Sequence, residues 1–250
     1  MKKILFIILF LLIHIGVYAQ EAKNLQQLNN KTKILNLSEN FEELCQKINA
    51  TSYKEATKNL LKEIPMEVFQ YTQLEEFIIE NTFIRILPKE IKQLKNLKNL
   101  SLMNNRLQSL PKEIGELSKL THLSIGFREF FGENGNKITK IPKEIGKLTN
   151  LVYLSMGMNN IKYLPKEIKN LQKLECLKIN HNQIKIFPKE IKYLKKLIEL
   201  DLSNNKIKYI PKEIGELKNL KYLKLYGNRL SKEEKIKIKK LLSADCEVTF

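Results

Sequence analysis

Two histidines and one cysteine are predicted on the same face of this protein: His122, His181 and Cys176. A paired cysteine and histidine would suggest nucleophilic catalysis, for which the imidazole must lie within hydrogen-bond reach of the thiol. The repeat described below places His122 two strands from Cys176, about 10 Å away at the usual strand spacing of about 4.8 Å. His181 follows Cys176 by five residues and lies past the same strand. We therefore predict that the chain is not an enzyme.

Other catalytic or cofactor-binding patterns are also missing from the sequence. There is no group of His, Cys, Asp and Glu with metal-ligand spacing. There is no Walker phosphate loop, no glycine-rich dinucleotide pattern and no Gly-x-Ser-x-Gly. The sequence thus predicts neither a metal nor a cofactor.

The strongest pattern in the chain is the spacing of its prolines. Seven prolines are separated by intervals of 23, 23, 31, 23, 23 and 23 residues: Pro65, Pro88, Pro111, Pro142, Pro165, Pro188 and Pro211. Such a period indicates a tandem repeat, in which each unit packs on its neighbours and the whole forms one elongated stack.

Each repeat is read from the segment Leu197–Ile207. Leu200 and Leu202 alternate with Asp201, which predicts a short strand with leucines inward and the polar residue outward. Asn205 follows at a turn, where its amide can pair with main-chain groups of adjacent repeats. Pro211 is predicted at the first position of a short helix. The equivalent asparagines are expected to form a ladder: Asn105, Asn159, Asn182, Asn205 and Asn228.

These segments and the phrase Leu-Pro-Lys-Glu-Ile resemble the leucine-rich repeat family over roughly residues 51–250. The phrase is similar to that of secreted bacterial leucine-rich repeat proteins found in spirochaetes. The resemblance implies an α/β solenoid, a horseshoe with a concave parallel sheet, short convex helices and a helical C-terminal cap. Proteins of this kind often engage host receptors, adhesion molecules or extracellular matrix.

Four regions are predicted along the chain. Residues 1–19 combine Lys2 and Lys3 with an apolar run and a small-residue exit, as in a cleavable secretory signal. Residues 20–73 are read as an N-terminal cap with degenerate repeats, and residues 74–230 as leucine-rich repeats with an insertion at 126–135. Residues 231–250 form a C-terminal cap that opens with a capping box at Ser231. No membrane span is expected in the mature chain.

The 31-residue proline interval is eight residues longer than the others (31 − 23 = 8), and the extra length falls within residues 126–135. It carries three phenylalanines, which either fold back on the solenoid or form an aromatic anchor at the rim of the concave face. On the second reading, a partner-binding site combines the insertion with concave residues: Phe127, Arg128, Phe130, Phe131, His122, Tyr153, Met158 and Tyr222.

Positive charge is concentrated on the edge that follows the asparagine ladder. The formal net charge is +17, whereas the lysines and glutamates after each proline largely cancel. The edge is either an ordinary solvated surface or a site for an extended anionic partner such as a sulfated glycan. Its residues include Lys162, Lys185, Lys206 and Lys208, with Arg106, Lys137, Lys140 and Arg229 in adjacent rows. Nucleic acid is a weaker candidate, because the concave face lacks a basic groove.

The sequence therefore predicts a secreted or cell-surface module that binds a protein partner with its curved sheet. The alternative is a scaffold of the periplasm or cell envelope that docks an endogenous protein. Neither reading identifies the partner, since solenoid specificity depends on the pattern of exposed residues and not on a transferable motif.

Overall fold

The computed structural model of the chain describes residues 33–36, 62–126 and 135–250. The predicted signal peptide, most of the predicted N-terminal cap and residues 127–134 of the insertion lie outside these ranges. The predicted region boundaries therefore stay predictions.

A single parallel sheet runs through the described ranges, with nine short strands in chain order. Each strand pairs in register with the next, so that the equivalent residues of successive repeats lie side by side. The strands are β1 (Ile34–Asn36), β2 (Glu76–Ile78), β3 (Asn99–Ser101), β4 (His122–Ser124), β5 (Tyr153–Ser155), β6 (Cys176–Lys178), β7 (Glu199–Asp201), β8 (Tyr222–Lys224) and β9 (Glu247–Thr249).

Opposite the sheet, each repeat carries a five-residue 3-10 helix. The helices are Met66–Gln70, Lys89–Gln93, Lys112–Glu116, Lys143–Lys147, Lys166–Asn170, Lys189–Tyr193 and Lys212–Glu216. Each is preceded by a proline with extended backbone angles, as at Pro211 (φ −61°, ψ 142°). The prediction that Pro211 is the first helical residue is therefore wrong by one position. Its carbonyl accepts the N–H of Ile214 at 3.0 Å and so starts the helix from outside.

The core is a stack of leucine and isoleucine layers between the sheet and the 3-10 helices. In one repeat, Leu194, Leu197, Leu200 and Leu202 are all completely buried, and the same positions are buried in the neighbouring repeats. The buried cluster is continuous from Leu35 to Ile238. No repeat could bury these side chains alone, so the repeats stabilise one another.

The predicted asparagine ladder is present and is longer than expected. The Asn182 Oδ1 accepts the Ile161 N–H of the preceding repeat at 2.9 Å, and its Nδ2 donates to the Met156 and Ile179 carbonyls at 3.0 and 3.1 Å. Asn136 adds a rung directly after the insertion, accepting the Leu107 N–H at 2.8 Å. The ladder thus continues across the 31-residue interval.

The C-terminal end is closed by the helix α1 (Lys232–Leu241) and by β9. The Ser231 hydroxyl accepts the Glu234 N–H at 3.2 Å, which confirms one half of the predicted capping box. The Glu234 carboxylate does not complete the box; it is buried and accepts the Ile210 N–H at 2.9 Å, so it ties the cap to the last repeat.

The architecture agrees with the fold class predicted from the sequence: a solenoid with a concave parallel sheet, short convex helices and a helical C-terminal cap. Within the described ranges, no helix has both the length and the apolar character that a bilayer span requires.

Candidate partner-binding face

Two residues of each strand from β2 to β9 face outward from the sheet, because the central residue points into the core. Across β2 to β9, the first outward positions hold Glu76, Asn99, His122, Tyr153, Cys176, Glu199, Tyr222 and Glu247. The second outward positions hold Ile78, Ser101, Ser124, Ser155, Lys178, Asp201, Lys224 and Thr249. These two rows determine the chemistry of the concave face.

The aromatic side chains of β4 and β5 form a stacked pair. His122 and Tyr153 are opposite each other in the register. Their ring centroids are 6.0 Å apart, and their planes differ by 22°. The Thr121 hydroxyl lies 3.0 Å from His122 Nδ1 and helps to orient the imidazole. His122 is exposed and Tyr153 is half-buried, so the pair presents a fixed aromatic surface to solvent.

On β4 and β5 themselves, the outward positions that follow this pair carry only small residues. Ser124 and Ser155 occupy the second outward row, and Gly126 and Gly157 follow them. A Cβ on Gly157 would clash with Asn180 Oδ1, and a Cβ on Gly126 would lie 3.1 Å from the Gly157 carbonyl oxygen. These four small residues form the floor next to the aromatic pair, and the Asn180 amide packs against Gly157. These four positions were not among the predicted site residues, although the same outward spacing identifies them.

Toward the C-terminal end, the face is held together by charge. The Glu199 carboxylate lies 3.3 Å from Lys178 Nζ and 3.2 Å from Lys224 Nζ, and so bridges β6 and β8. Burial alone would raise the pKa of Glu199, but the two lysines lower it below its ordinary value, with help from the Cys176 thiol. The Lys178 Nζ also lies 5.9 Å from the centre of the Tyr153 ring.

The cysteine of this face is poorly suited to nucleophilic chemistry. Burial, together with the nearby Glu199 carboxylate, raises the pKa of Cys176 to about 12, so the thiol stays protonated at neutral pH. Its sulfur donates to Glu199 Oε2 at 3.5 Å. His122 lies two strands away, and His181 lies beyond β6, with its Nε2 2.8 Å from Asn204 Nδ2.

Metal binding has no geometric basis in the described ranges, where no three or more His, Cys, Asp or Glu side chains come together. Cys176 and Cys246 are both free thiols. Cys45 lies outside the described residues.

Asp201 differs from its prediction. It points to the concave side as expected, but only 7% of it is exposed, because its carboxylate accepts the N–H and hydroxyl of Ser203 at 3.0 and 2.6 Å. It therefore contributes little to the charge that a partner would meet.

Of the remaining predicted partner-binding residues, the two that lie in the described ranges, Met158 and Tyr222, are not adjacent. Met158 follows β5 with a positive φ of 54° and is half-buried. Tyr222 lies three strands from Tyr153, about 14 Å at the usual spacing. It is exposed together with Tyr226. The insertion residues Phe127, Arg128, Phe130 and Phe131 lie outside the described residues.

The predicted basic edge is present as a row. Lys162, Lys185 and Lys208 occupy the same position in three successive repeats and are exposed, whereas Lys206 is half-buried. None of these four lysines forms an ion pair with another residue in the described part of the chain. Arg106 stacks on the Phe83 ring at 3.6 Å, so its guanidinium is engaged within the protein.

Comparisons with known proteins give one family match and several similar folds. Residues 129–244 match the family model described as a leucine-rich repeat region. None of the curated proteins matches the sequence.

Among solved structures, the chain is similar to an internalin, InlF, from Listeria monocytogenes (23% identity, TM-score 0.62, 77% of this chain and 52% of that chain). It is similar to the leucine-rich repeat ectodomain of the receptor kinase GASSHO1/SCHENGEN3 from Arabidopsis thaliana, solved with Casparian strip integrity factor 2 (26% identity, TM-score 0.60, 74% of this chain and 22% of that chain). A third similar structure is that of the plant peptide hormone receptor RGFR1 in complex with RGF2 (29% identity, TM-score 0.61, 81% of this chain and 33% of that chain).

The chain thus spans from about a fifth to about half the length of these three proteins. The register of the parallel strands, the asparagine ladder and the family match agree with one another. The described solenoid has the leucine-rich repeat horseshoe fold, and residues 129–244 match the model of a leucine-rich repeat region.

Proposed function

We propose that this protein is a binding module whose concave face holds a protein or peptide partner, with His122 and Tyr153 as its aromatic anchors. The observation that carries the proposal is the stacked, solvent-facing pair beside a floor of serine and glycine. Aromatic side chains dominate binding energy where a partner can exclude water around them.

The rigidity of the sheet supports the same proposal. The strands beneath the pair are joined in register, and the asparagine ladder ties the turns that follow them. A surface that is already ordered loses little conformational entropy when a partner binds. The pair is therefore prepared for binding before the partner arrives.

Two of the similar structures are receptors solved with a bound factor, Casparian strip integrity factor 2 in one and RGF2 in the other. Their example favours a protein or peptide over a small molecule as the partner here. In our proposal, further contacts come from Met158, Tyr222 and the insertion residues Phe127, Arg128, Phe130 and Phe131.

The proposed location is outside the cell or on its surface, as the secretory signal predicted for residues 1–19 implies. The partner would then be a host receptor, an adhesion molecule or a component of the extracellular matrix. Protease treatment of intact cells tests this location. Cleavage at the surface would support it, whereas full protection would favour a scaffold of the periplasm or cell envelope.

The binding site is tested with residues 20–250 against a panel of extracellular matrix proteins and cell-surface receptors. His122→Asn and Tyr153→Asn introduce the residue that Asn99 already provides at the same position of β3. We expect the double variant to lose binding by about thirtyfold or more, the effect of removing a hot spot of about 2 kcal/mol.

Tyr193→Asn is the matched control. Tyr193 is an exposed tyrosine at the end of a convex 3-10 helix, and Asn170 occupies the same position in the preceding repeat. Binding should be unchanged in this variant. Equal loss in both variants, or full binding in the concave double variant, would contradict the proposed site.

A further inference from the structure

A row of exposed apolar side chains lies on the loop edge past the asparagine ladder, away from the concave sheet face. Each repeat has one residue two positions before its proline. In three successive repeats this residue is Tyr163, Ile186 or Tyr209, with 46%, 78% and 69% of the residue exposed. Because the repeats stack in register, the three side chains occupy equivalent positions in adjacent repeats. The next residue in each repeat is buried and packs in the core, whereas the residues of the row point away from it.

Lysines border this apolar row on both sides. The first border is Lys162, Lys185 and Lys208, and the second is Lys166, Lys189 and Lys212; all six are exposed. None of them forms an ion pair with another described residue. The glutamate that follows each lysine of the second border is half-buried and offsets part of its charge. The net positive charge of the edge therefore comes mainly from the first border.

From this arrangement we infer that the edge of the C-terminal repeats docks on an anionic lipid bilayer surface. Tyrosine rings favour the headgroup region of a bilayer, and lysines beside them are attracted to anionic headgroups. Ile186, the most exposed member of the row, would insert below the headgroups. A sulfated glycan would contact the lysines, but it gives no reason for an isoleucine to be exposed between them. A bilayer surface accommodates the apolar row and its charged borders together.

The N-terminal repeats provide an internal contrast. There the equivalent positions hold Ile86, Ser109 and Lys140, so Ile86 is exposed without an apolar neighbour in the next repeat. The first border position holds Gln108 and Thr139 in two of these repeats. The fold thus accepts serine within the row and glutamine at its border, which gives substitutions that the solenoid already tolerates.

The test uses residues 20–250, since the predicted leader is itself apolar and its removal deletes no described residue. Binding is measured by co-sedimentation with vesicles of phosphatidylcholine alone and of phosphatidylcholine mixed with phosphatidylserine. We expect binding to the mixed vesicles only. Ile186→Ser with Tyr209→Ser, and separately Lys185→Gln with Lys208→Gln, should each weaken it by at least about tenfold. Ile86→Ser is the control and should bind as the unmodified protein does.

Circular dichroism and thermal unfolding confirm that each variant is folded before binding is compared. No binding to the mixed vesicles, or an equal loss in Ile86→Ser, would overturn the inference. It would also be overturned if the serine variant bound vesicles normally while only the glutamine variant was impaired. That result, together with binding to heparin, would make the edge a polyanion site.

Discussion

The concave face has two parts that share one backbone but differ in what their side chains contact. On β4 and β5, the outward residues are an aromatic pair and two serines, followed by two glycines. On β6 to β8, Glu199 is bound by lysines from both neighbouring strands, and the Cys176 thiol donates to it as well. The first part leaves its rings open to solvent, whereas the second uses its charges internally.

A charged side chain on the concave face is therefore not always free to bind a partner. A concave lysine such as Lys178 adds to the formal charge of the face, but it is already paired with Glu199. A partner would have to displace that pair and desolvate both groups, which cancels much of the gain. The aromatic pair requires no such exchange. We therefore expect the aromatic part to provide most of the binding energy and the charged part to stabilise the sheet.

The largest effect is expected at the junction of the two parts, where Asn182 ties the repeat of β5 to that of β6. Asn182→Ala removes the acceptor of the Ile161 N–H and the donor to two buried carbonyls. We expect a loss of about 2 to 4 kcal/mol in the free energy of unfolding, because these buried groups are left unpaired. Urea unfolding measures it.

Asn170→Ala is the control, since Asn170 is exposed on a convex helix. It should change the free energy of unfolding by no more than about 0.5 kcal/mol. A similar loss in both variants would mean that the ladder does not join the two parts.

A smaller effect is expected within the charged part. Glu199→Gln removes the carboxylate from between Lys178 and Lys224. Because these ion pairs are partly exposed, the free energy of unfolding should fall by less than about 1 kcal/mol at neutral pH.

The effect of Glu199→Gln on stability should depend on pH. The pKa of Glu199 is lowered from 4.5 in the folded protein, so its stabilising contribution is present above 4.5 and is lost as the pH falls through the folded value. The difference between the two proteins should therefore vanish in acid. Thermal unfolding from neutral to acidic pH measures it, and a difference that grew in acid would refute the assignment.

The smallest effect is expected from a substitution in the charged part, measured by partner binding. Lys178→Ser introduces the residue that Ser155 provides at the same position of β5. If the charged part only stabilises the sheet, binding of any partner found with the panel should change by less than about twofold, within the range of near-neutral contacts. Surface plasmon resonance compares this variant with Tyr153→Asn. A larger loss for Lys178→Ser would reverse the roles given to the two parts.

Much of the fold was predictable because every position of the 23-residue repeat meets the same environment each time. Leu200 and Leu202 are buried where the alternation placed them, and the predicted asparagines form their ladder. Asn136 was not included in the predicted ladder, since the insertion moves it out of the regular spacing. In the structure the repeats stack in register, and Asn136 occupies the same position as the other asparagines of the ladder.

The candidate site was predictable only in part. The spacing predicted that His122 and Tyr153 face outward on consecutive strands, but their stacking depends on ring orientations set by neighbours in space. The burial of Asp201 was missed for the same reason, because the Ser203 side chain folds back onto its carboxylate. The predicted roles of Phe127, Arg128, Phe130 and Phe131 stay predictions.

The sequence by itself determined the repeat, the inward and outward positions, and hence the solenoid, because those properties depend on residues close together along the chain. Only the tertiary structure decided which outward side chains contact each other and which stay exposed to solvent. Glu199 meets two lysines from different repeats, Arg106 lies on the Phe83 ring, and Ile186 stays exposed between two tyrosines. Contacts of this kind join residues about one repeat apart, and they depend on how the repeats stack and how the side chains orient between them.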